Sequence, residues 1–409
     1  ICICNTHFTR VYSYVFDSEV VMGNLDLLSR YFGSGTAESE MAFLDEAFVP
    51  HQDFVDIISI PPASPRIVVG KKGSGKSAFI RFFQSKMQAA KVPVLLIRPD
   101  DLEISKIEDN SLAGLKRQAK IALLKAIGVK IGSQIDGFVL NDDDLNLFRL
   151  AQNEGIIGEE WIQKIIKFIN PIGKAVSDVD FSAVMGSSPM INPGAVKKAV
   201  LSNLGRAGHL FYLLIDDTDQ VAELNQAGQL NRIWAFLLAA RSIMEDCDNI
   251  RCIITLRQEV WFRLSRSQSG QRDQVDHFRS LVYHINPDEN SVRDIVAKRL
   301  SLVCHKSELH WTAHPYEPFF AGDDLTLPST TDTVRAWDSF ITKSSRERPR
   351  DAIQLVDLLI KAAKKDESEK IQARHARQVL PQYSANCVHD LQLESDLECP
   401  EIESIIRRF

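Results

Sequence analysis

The chain has 409 residues, enough for two or three domains, and its 44% hydrophobic and 25% charged residues are those of an ordinary folded globular protein. A net charge of −6 gives no overall attraction to nucleic acid or to an anionic membrane, and no apolar run approaches the length of a transmembrane helix. The seven cysteines are odd in number and contain no CxxC pair, so they read as reduced thiols in a cytoplasm.

Residues 1–21 lack an initiating Met, a basic n-region and an apolar core, so they are not read as a signal peptide. Met22-Gly23-Asn24 reads as a more natural start, with the residues before it an upstream extension. Residues 24–58 predict short helices around Leu25, Leu27 and Leu28, then Phe43, Leu44 and Phe48. Pro61-Pro62 and Pro65 break the chain before a β-branched strand, Ile67-Val68-Val69. A helix follows from Ala78 to Ala90, with Phe79, Ile80, Phe82 and Phe83 on its buried side. Val92 to Ile97 is a second strand of buried, parallel type, and Pro93 argues that its first residues lie outside the ladder.

Residues 105–205 predict a helical insertion, with turns at Asn141-Asp142-Asp143-Asp144 and Gly186-Ser187-Ser188-Pro189. Phe211 to Ile215, Arg251 to Leu256 and Val282 to Ile285 are the remaining strands, and Leu230, Ile233, Trp234, Leu237 and Leu238 mark an amphipathic helix between two of them. Strands alternating with helices imply a parallel α/β sheet. Beyond Asp288 the pattern is almost wholly helical, and it stops inside a helical stretch at Phe409, so the intact protein is expected to continue. The expected organisation is an N-terminal region at 1–60, an α/β core at 61–287 and a helical domain at 288–409.

The chemistry concentrates between the first strand and its helix. Gly70-Lys71-Lys72-Gly73-Ser74-Gly75-Lys76-Ser77 is a complete G-x-x-x-x-G-K-S string, and Ala78 opens the helix behind it. Glycines allow backbone N–H groups to turn into one concave nest for phosphate oxygens, and the helix N-terminus adds positive potential. Lys76 is expected to reach the β- and γ-phosphates and Ser77 to ligate Mg²⁺. Leu213-Leu214-Ile215-Asp216-Asp217 brings two carboxylates to the C-terminal edge of the sheet, where ligands of α/β folds sit. Asp216 is placed in the Mg²⁺ shell with Ser77, and Asp217 is placed to polarise the attacking water, with Asp219 a weaker candidate. The competing reading is that the acidic run caps the next helix.

The strand ending Thr255-Leu256-Arg257 puts Arg257 near the γ-phosphate, either as a sensor of charge or as an ion-pair partner of Asp217 or Glu259. In Arg346-Glu347-Arg348-Pro349-Arg350-Asp351, Pro349 suits a helix's first turn. Arg350 would project from that end as a nucleotide-sensing lid residue, or the stretch is a solvated basic turn pairing with Asp351. Cys304, His310 and His314 have metal-like spacing without an obvious fourth ligand, and read as incidental. Trp161, Trp234, Trp261 and Trp337 read as packing residues.

These motifs resemble STAND-type and KAP-like P-loop ATPases, relatives of AAA+ proteins. Phe32-Gly33-Ser34-Gly35-Thr36-Ala37-Glu38-Ser39-Glu40, and the tail Tyr383-Ser384 followed by Asp390-Leu391 and Glu394, are similar to a poorly characterised bacterial ATPase family linked to conflict and phage-defence loci. The resemblance spans about residues 24–409, with the insertion weakly matched. It implies an ASCE-type core, with an extra strand beside the P-loop strand, and a helical lid often followed by a winged-helix module. It assigns Asp216 the metal role, Asp217 the water-activating role and Arg257 and Arg350 sensing roles. Many relatives carry Glu where this chain has Asp217, one methylene shorter, which implies slow turnover.

The expected function is an ATP-driven conformational switch that hydrolyses ATP to ADP with Mg²⁺ and acts on a protein partner or on further copies of itself. The alternative is an ATP-dependent DNA-loading protein using the basic stretch Lys361, Lys364, Lys365, Lys370, Arg374, His375 and Arg377, which Asp366, Glu367 and Glu369 interrupt. A small-molecule kinase fits the long helical C-terminal region poorly.

Overall fold

A computed structural model of the chain describes residues 23–33, 37–50, 52–98, 111–135, 142–153, 193–218, 230–266, 272–326, 333–395, 399, 401–406 and 408. In chain order these form α1 (Asn24–Phe32), α2 (Leu44–Ala47), α3 (Gln52–Ile58), β1 (Arg66–Gly70), α4 (Lys76–Ala89), β2 (Val94–Ile97), α5 (Leu112–Ser133), α6 (Asp142–Asn153) and α7 (Pro193–Ala207). Then come β3 (Phe211–Ile215), α8 (Leu230–Asp246), β4 (Ile250–Arg257), α9 (Gln258–Arg266), α10 (Arg272–Arg279) and β5 (Val282–His284). The last elements are α11 (Glu289–Lys306), β6 (Asp324–Thr326), β7 (Val334–Ala336), α12 (Trp337–Ser344), α13 (Pro349–Lys365), α14 (Ala373–Ser395) and α15 (Ile402–Ile406). They divide into two compact units, one of residues 50–286 and one made of the described residues up to Val49 together with those from Pro287 onward.

The first unit is an α/β fold around a five-stranded parallel sheet of order β2-β3-β4-β1-β5. β4 lies between the strand that feeds the Gly-rich loop and the strand that ends at Asp216, which is the ASCE arrangement. Ile67, Val68 and Val69 are fully buried, as are Leu213, Leu214 and Ile215, because helices cover both faces of a parallel sheet. Pro93 stays outside β2 and contributes only its carbonyl, which accepts from the Tyr212 N–H at 2.9 Å. On α4, Phe79, Ile80 and Phe83 are buried; Phe82 is half-buried, its ring under the Lys86 ammonium.

The insertion's described helices, α5, α6 and α7, pack on one another, and α5 lies along α8. Gly128 and Gly132, one helical turn apart on α5, allow the close crossing with α6: a Cβ on Gly132 would lie 2.0 Å from the Leu147 carbonyl oxygen. Asp142 to Asp144 open α6 instead of forming a turn, since acids favour a helix's first turn. Asp246, at the end of α8, receives Lys120 at 2.6 Å and Lys197 at 2.8 Å, tying α5 and α7 to the core. Burial raises the Asp246 pKa, but the two ammonium hydrogen bonds outweigh it and hold the carboxyl below its ordinary value.

The second unit is mainly helical. α13 buries Ala352, Leu355, Val356, Leu359, Ile360 and Ala363, a 3-4 stripe set against α1, α11 and α14. Two features differ from the sequence reading. First, α1 and α2 belong with the C-terminal helices, not with a separate region at 1–60. Glu40 explains the attachment: it forms a buried bidentate pair with Arg299 of α11, with Nη1 to Oε1 at 2.9 Å, while the same Nη1 donates to the Tyr31 carbonyl at 2.6 Å. Second, β6 and β7 form a short antiparallel pair in a stretch read as helical; three residues per strand leave too little alternation to see.

Candidate functional site

β1 delivers the chain into the loop at Gly70, and α4 begins at Lys76. Gly73 and Gly75 adopt left-handed φ values of 78° and 97°, which side-chain-bearing residues rarely tolerate. Gly70 has a different reason: a Cβ there would lie 2.5 Å from Ser74 Oγ and 2.8 Å from the Ile285 carbonyl oxygen. Phe79 N–H donates to the Gly75 carbonyl at 2.9 Å, so the helix grows directly out of the loop, and the opening N–H groups of any helix lack an intrahelical acceptor. The Lys76 ammonium folds back over its own loop, donating to the Gly70 carbonyl at 2.8 Å and the Lys71 carbonyl at 3.0 Å. Lys71 is exposed; Lys72, Ser77 and Ala78 are half-buried, and Ser74 is buried.

The sheet register sets the acids against this loop. Gly70 pairs with Arg257, Val68 with Thr255, and Ile215 with Ile254. The ends of β1 and β3 therefore stand two strand spacings apart, about 10 Å, with the end of β4 between them. Asp216 follows Ile215 and is 1% exposed. Its Oδ1 accepts from the Thr255 hydroxyl, and its Oδ2 is buried with no hydrogen-bond partner among the described residues. An unpartnered carboxylate oxygen is costly to bury, and a cation meets that need. The donor set, hard oxygens from the Asp216 carboxylate and from the Ser77 hydroxyl in the first turn of α4, suits Mg²⁺ bound together with phosphate oxygens. Among the described residues no group of three His, Cys, Asp or Glu side chains converges on a metal position, and His314 instead faces Asp323 at 3.3 Å.

Asp217 holds a left-handed backbone, φ 52°, and sets Oδ2 3.4 Å from Nε of Arg98, the residue just past β2. Arg257 is half-buried at the end of β4, level with the first glycine of the loop. The structure thus gathers the loop, Asp216, Asp217 and Arg257 at one edge of one sheet, while Asp219 lies outside the described residues. Arg350 sits on the other unit, second in α13 after Pro349. Asp351 is 4% exposed and pairs with Arg346 at 2.6 Å, the pairing that the alternative reading of this turn expected, while Glu347 is exposed. Thr255 escaped the sequence reading. Its signal is one hydroxyl in the otherwise apolar run Cys252-Ile253-Ile254-Thr255-Leu256, which pattern alone treats as an ordinary strand residue.

The sequence model of the FunZ-associated C-terminal helical domain matches residues 290–392. A putative transposon gamma-delta 80.3 kDa protein of Escherichia coli strain K12 is 23% identical over 410 residues; the match covers 94% of this chain and 54% of that protein, so the chain spans about half the length of the curated relative. Among solved structures, the ORC1 protein of Aeropyrum pernix in complex with DNA is similar at 11% identity and TM-score 0.39, covering 85% of this chain and 69% of that one. Domain III of the replication initiation protein DnaA of Thermotoga maritima aligns at 11% identity and TM-score 0.38, covering 83% and 95%. A Walker-type ATPase of Pyrococcus abyssi aligns at 12% identity and TM-score 0.39, covering 83% and 73%.

Proposed function

We propose that the chain binds ATP with Mg²⁺ and hydrolyses it to ADP, using the nucleotide state as a conformational switch. The observation that carries this reading is the buried, unpartnered Oδ2 of Asp216, held beside a complete phosphate-binding loop by the register of three strands. In this reading the loop amides from Gly70 to Ala78 and the Lys76 ammonium grip the phosphates, the ammonium leaving the carbonyls it now binds. Ser77 and Asp216 would hold the Mg²⁺, which when bound neutralises charge on the β- and γ-phosphoryl oxygens. Asp217 orients the attacking water, and its short side chain and its pairing with Arg98 favour slow turnover. Arg257 stabilises charge at the γ-phosphate, and Arg350 reports from the helical unit whether that phosphate is present.

The proposed setting is the cytoplasm of a bacterium, in stress or phage defence among STAND/KAP-like ATPases, acting on a protein partner or on other copies of the chain. The motif resemblance supports it, and the transposon in the relative's name fits a setting among mobile elements. Among the described residues no helix is long and apolar enough to cross a membrane. The DNA-loading alternative gains little: Lys361 pairs with Asp357 at 2.6 Å, Lys364 with Asp26, and Arg374 with Asp366 at 3.7 Å, so much of the basic stretch is neutralised within the chain.

The test is Lys76→Ala. It is expected to remove binding of a fluorescent ATP analogue and to abolish phosphate release; wild-type turnover in this variant overturns the reading.

A further inference from the structure

The insertion carries a charge imbalance that the chain as a whole hides. The net charge is −6, yet α5 holds five Lys and Arg residues, α7 holds three, and neither helix contains an acid. Lys120 of α5 and Lys197 of α7 both donate to one oxygen, Oδ2 of Asp246, at 2.6 Å and 2.8 Å, so two ammonium groups stand side by side over a single carboxylate. Lys116 and Arg117 lie one turn before Lys120, and Lys198 follows Lys197. Arg117 and Lys198 are exposed and Lys116 is half-buried, and none of the three has an ion pair among the described residues. The neighbouring acids do not compensate: Glu245 is taken by Arg241 at 3.0 Å, and Asp248 stands beside Arg251, which donates to its carbonyl.

The sheet sets where this patch sits. Asp246 ends α8, just before β4 begins at Ile250, whereas the phosphate loop follows the last residue of β1, which runs parallel to β4. The patch therefore marks the N-terminal edge of the sheet, about 25 Å from the loop, the length of the eight-residue β4. Lys116 and Arg117 on α5, and Lys197 and Lys198 on α7, each occupy the second turn, near the end where the helix dipole adds to their charge instead of offsetting it. Five cations around one carboxylate attract negative charge from outside the chain. The surface also selects the kind of anion. Neither helix has an aromatic side chain, so there is no platform for stacking unpaired bases. Ile121 is their one exposed large apolar residue among the described residues, too little for a face that enters an anionic membrane. Phosphates spaced along a duplex need neither feature.

We infer that the N-terminal halves of α5 and α7, which pack on each other, form a docking surface for the phosphate backbone of double-stranded nucleic acid. Lys116, Arg117 and Lys198 meet the phosphates, while Lys120 and Lys197, anchored on Asp246, sustain the positive field behind them. Contact is to the backbone alone, so binding is independent of base sequence and falls steeply with salt. The surface is distinct from the basic stretch at 361–377, whose charges are largely paired. It goes beyond the nucleotide reading and stands without it, since a duplex at this edge of the sheet leaves the phosphate loop open.

The experiment follows the anisotropy of a labelled duplex of arbitrary sequence, titrated with the full chain across a salt series. The wild-type chain is expected to bind at low salt, with a slope of log affinity against log salt of about −3 to −4. The double variant Arg117→Glu with Lys198→Glu changes two exposed side chains and is expected to weaken binding at least about tenfold and to flatten the slope by about 2. Its thermal midpoint and its affinity for a fluorescent ATP analogue are expected to match wild type, which separates a lost surface from a lost fold. Lys76→Ala is expected to retain duplex binding, so failure of the nucleotide reading leaves this inference standing. Absence of duplex binding by the wild-type chain at low salt overturns the inference, as does equal binding by the double variant. Tighter binding to polyglutamate or to phosphatidylserine vesicles than to the duplex, lost in the same variant, overturns the assignment to nucleic acid.

Discussion

The Thr255 hydroxyl donates to one oxygen of Asp216, and that bond decides which carboxylate oxygen is left open at the end of β3. Without it the carboxylate is free to rotate and both oxygens are buried without a donor. Thr255→Val keeps the shape and removes the hydroxyl. It is expected to destabilise the fold by about 1–3 kcal/mol and to raise the Mg²⁺ concentration needed for half-maximal turnover. Chemical denaturation and a Mg²⁺ titration check this, and an unchanged Mg²⁺ dependence removes Asp216 from the metal's surroundings.

Asp217 couples a charge to an unusual backbone. Asp217→Asn keeps the side-chain length and is expected to lower phosphate release by about 100-fold or more, with ATP affinity nearly constant. Asp217→Gly relieves the left-handed φ of 52° and is expected to recover roughly 0.5–1 kcal/mol while remaining inactive. A protein both more stable and inactive is the signature of strain held for chemistry. An active glycine variant argues that the carboxylate has no part in the reaction.

Glu40 and Arg299 are 4% and 5% exposed at the side chain, so neither charge has water to fall back on. Glu40→Ala is expected to cost about 3–5 kcal/mol because it strands the guanidinium. Replacing both, Glu40→Leu with Arg299→Met, is expected to return most of that loss. Urea midpoints of the two variants give the comparison, and equal loss in both would mean that the residues do not act as a pair.

His375 is fully buried, and its Nδ1 accepts from the Gln372 N–H at 2.9 Å, capping α14. Burial first, and the Arg374 charge second, hold its pKa below the ordinary 6.5, against the pull of Asp366. Below pH of about 6.5 the unfolded chain therefore takes up the proton that the folded chain refuses, so stability falls as pH drops through that range and is unaffected above it. His375→Gln retains an acceptor and is expected to flatten the acid limb of a denaturation series between pH 8 and pH 5. An acid limb as steep as wild type would exclude His375 as its source.

Much of the first unit was legible because its signals are local. β3 runs from Phe211 to Ile215 as read, and the strand-loop-helix around Lys76 follows from glycine spacing and an apolar run. What stayed hidden depends on distance in sequence. Glu40 meets Arg299 across 259 positions, so nothing near α1 or α2 announces that they join the C-terminal helices. Thr255 looks like any strand threonine until β3 is laid beside β4. Tyr383 and Glu394 bond to Ser344, Asp351 and Arg348, contacts across 32 to 46 positions that no local pattern announces.

The strand that separates β1 from β3 is the last of the three to leave the ribosome. A nascent chain halted before Ile250 already holds the glycine loop and the aspartates, yet lacks the spacer that fixes their separation. Synthesis must run through the entire insertion before the pocket acquires its width. Completing this sheet therefore takes a late, non-local closure, and non-local strand pairing of this kind slows folding.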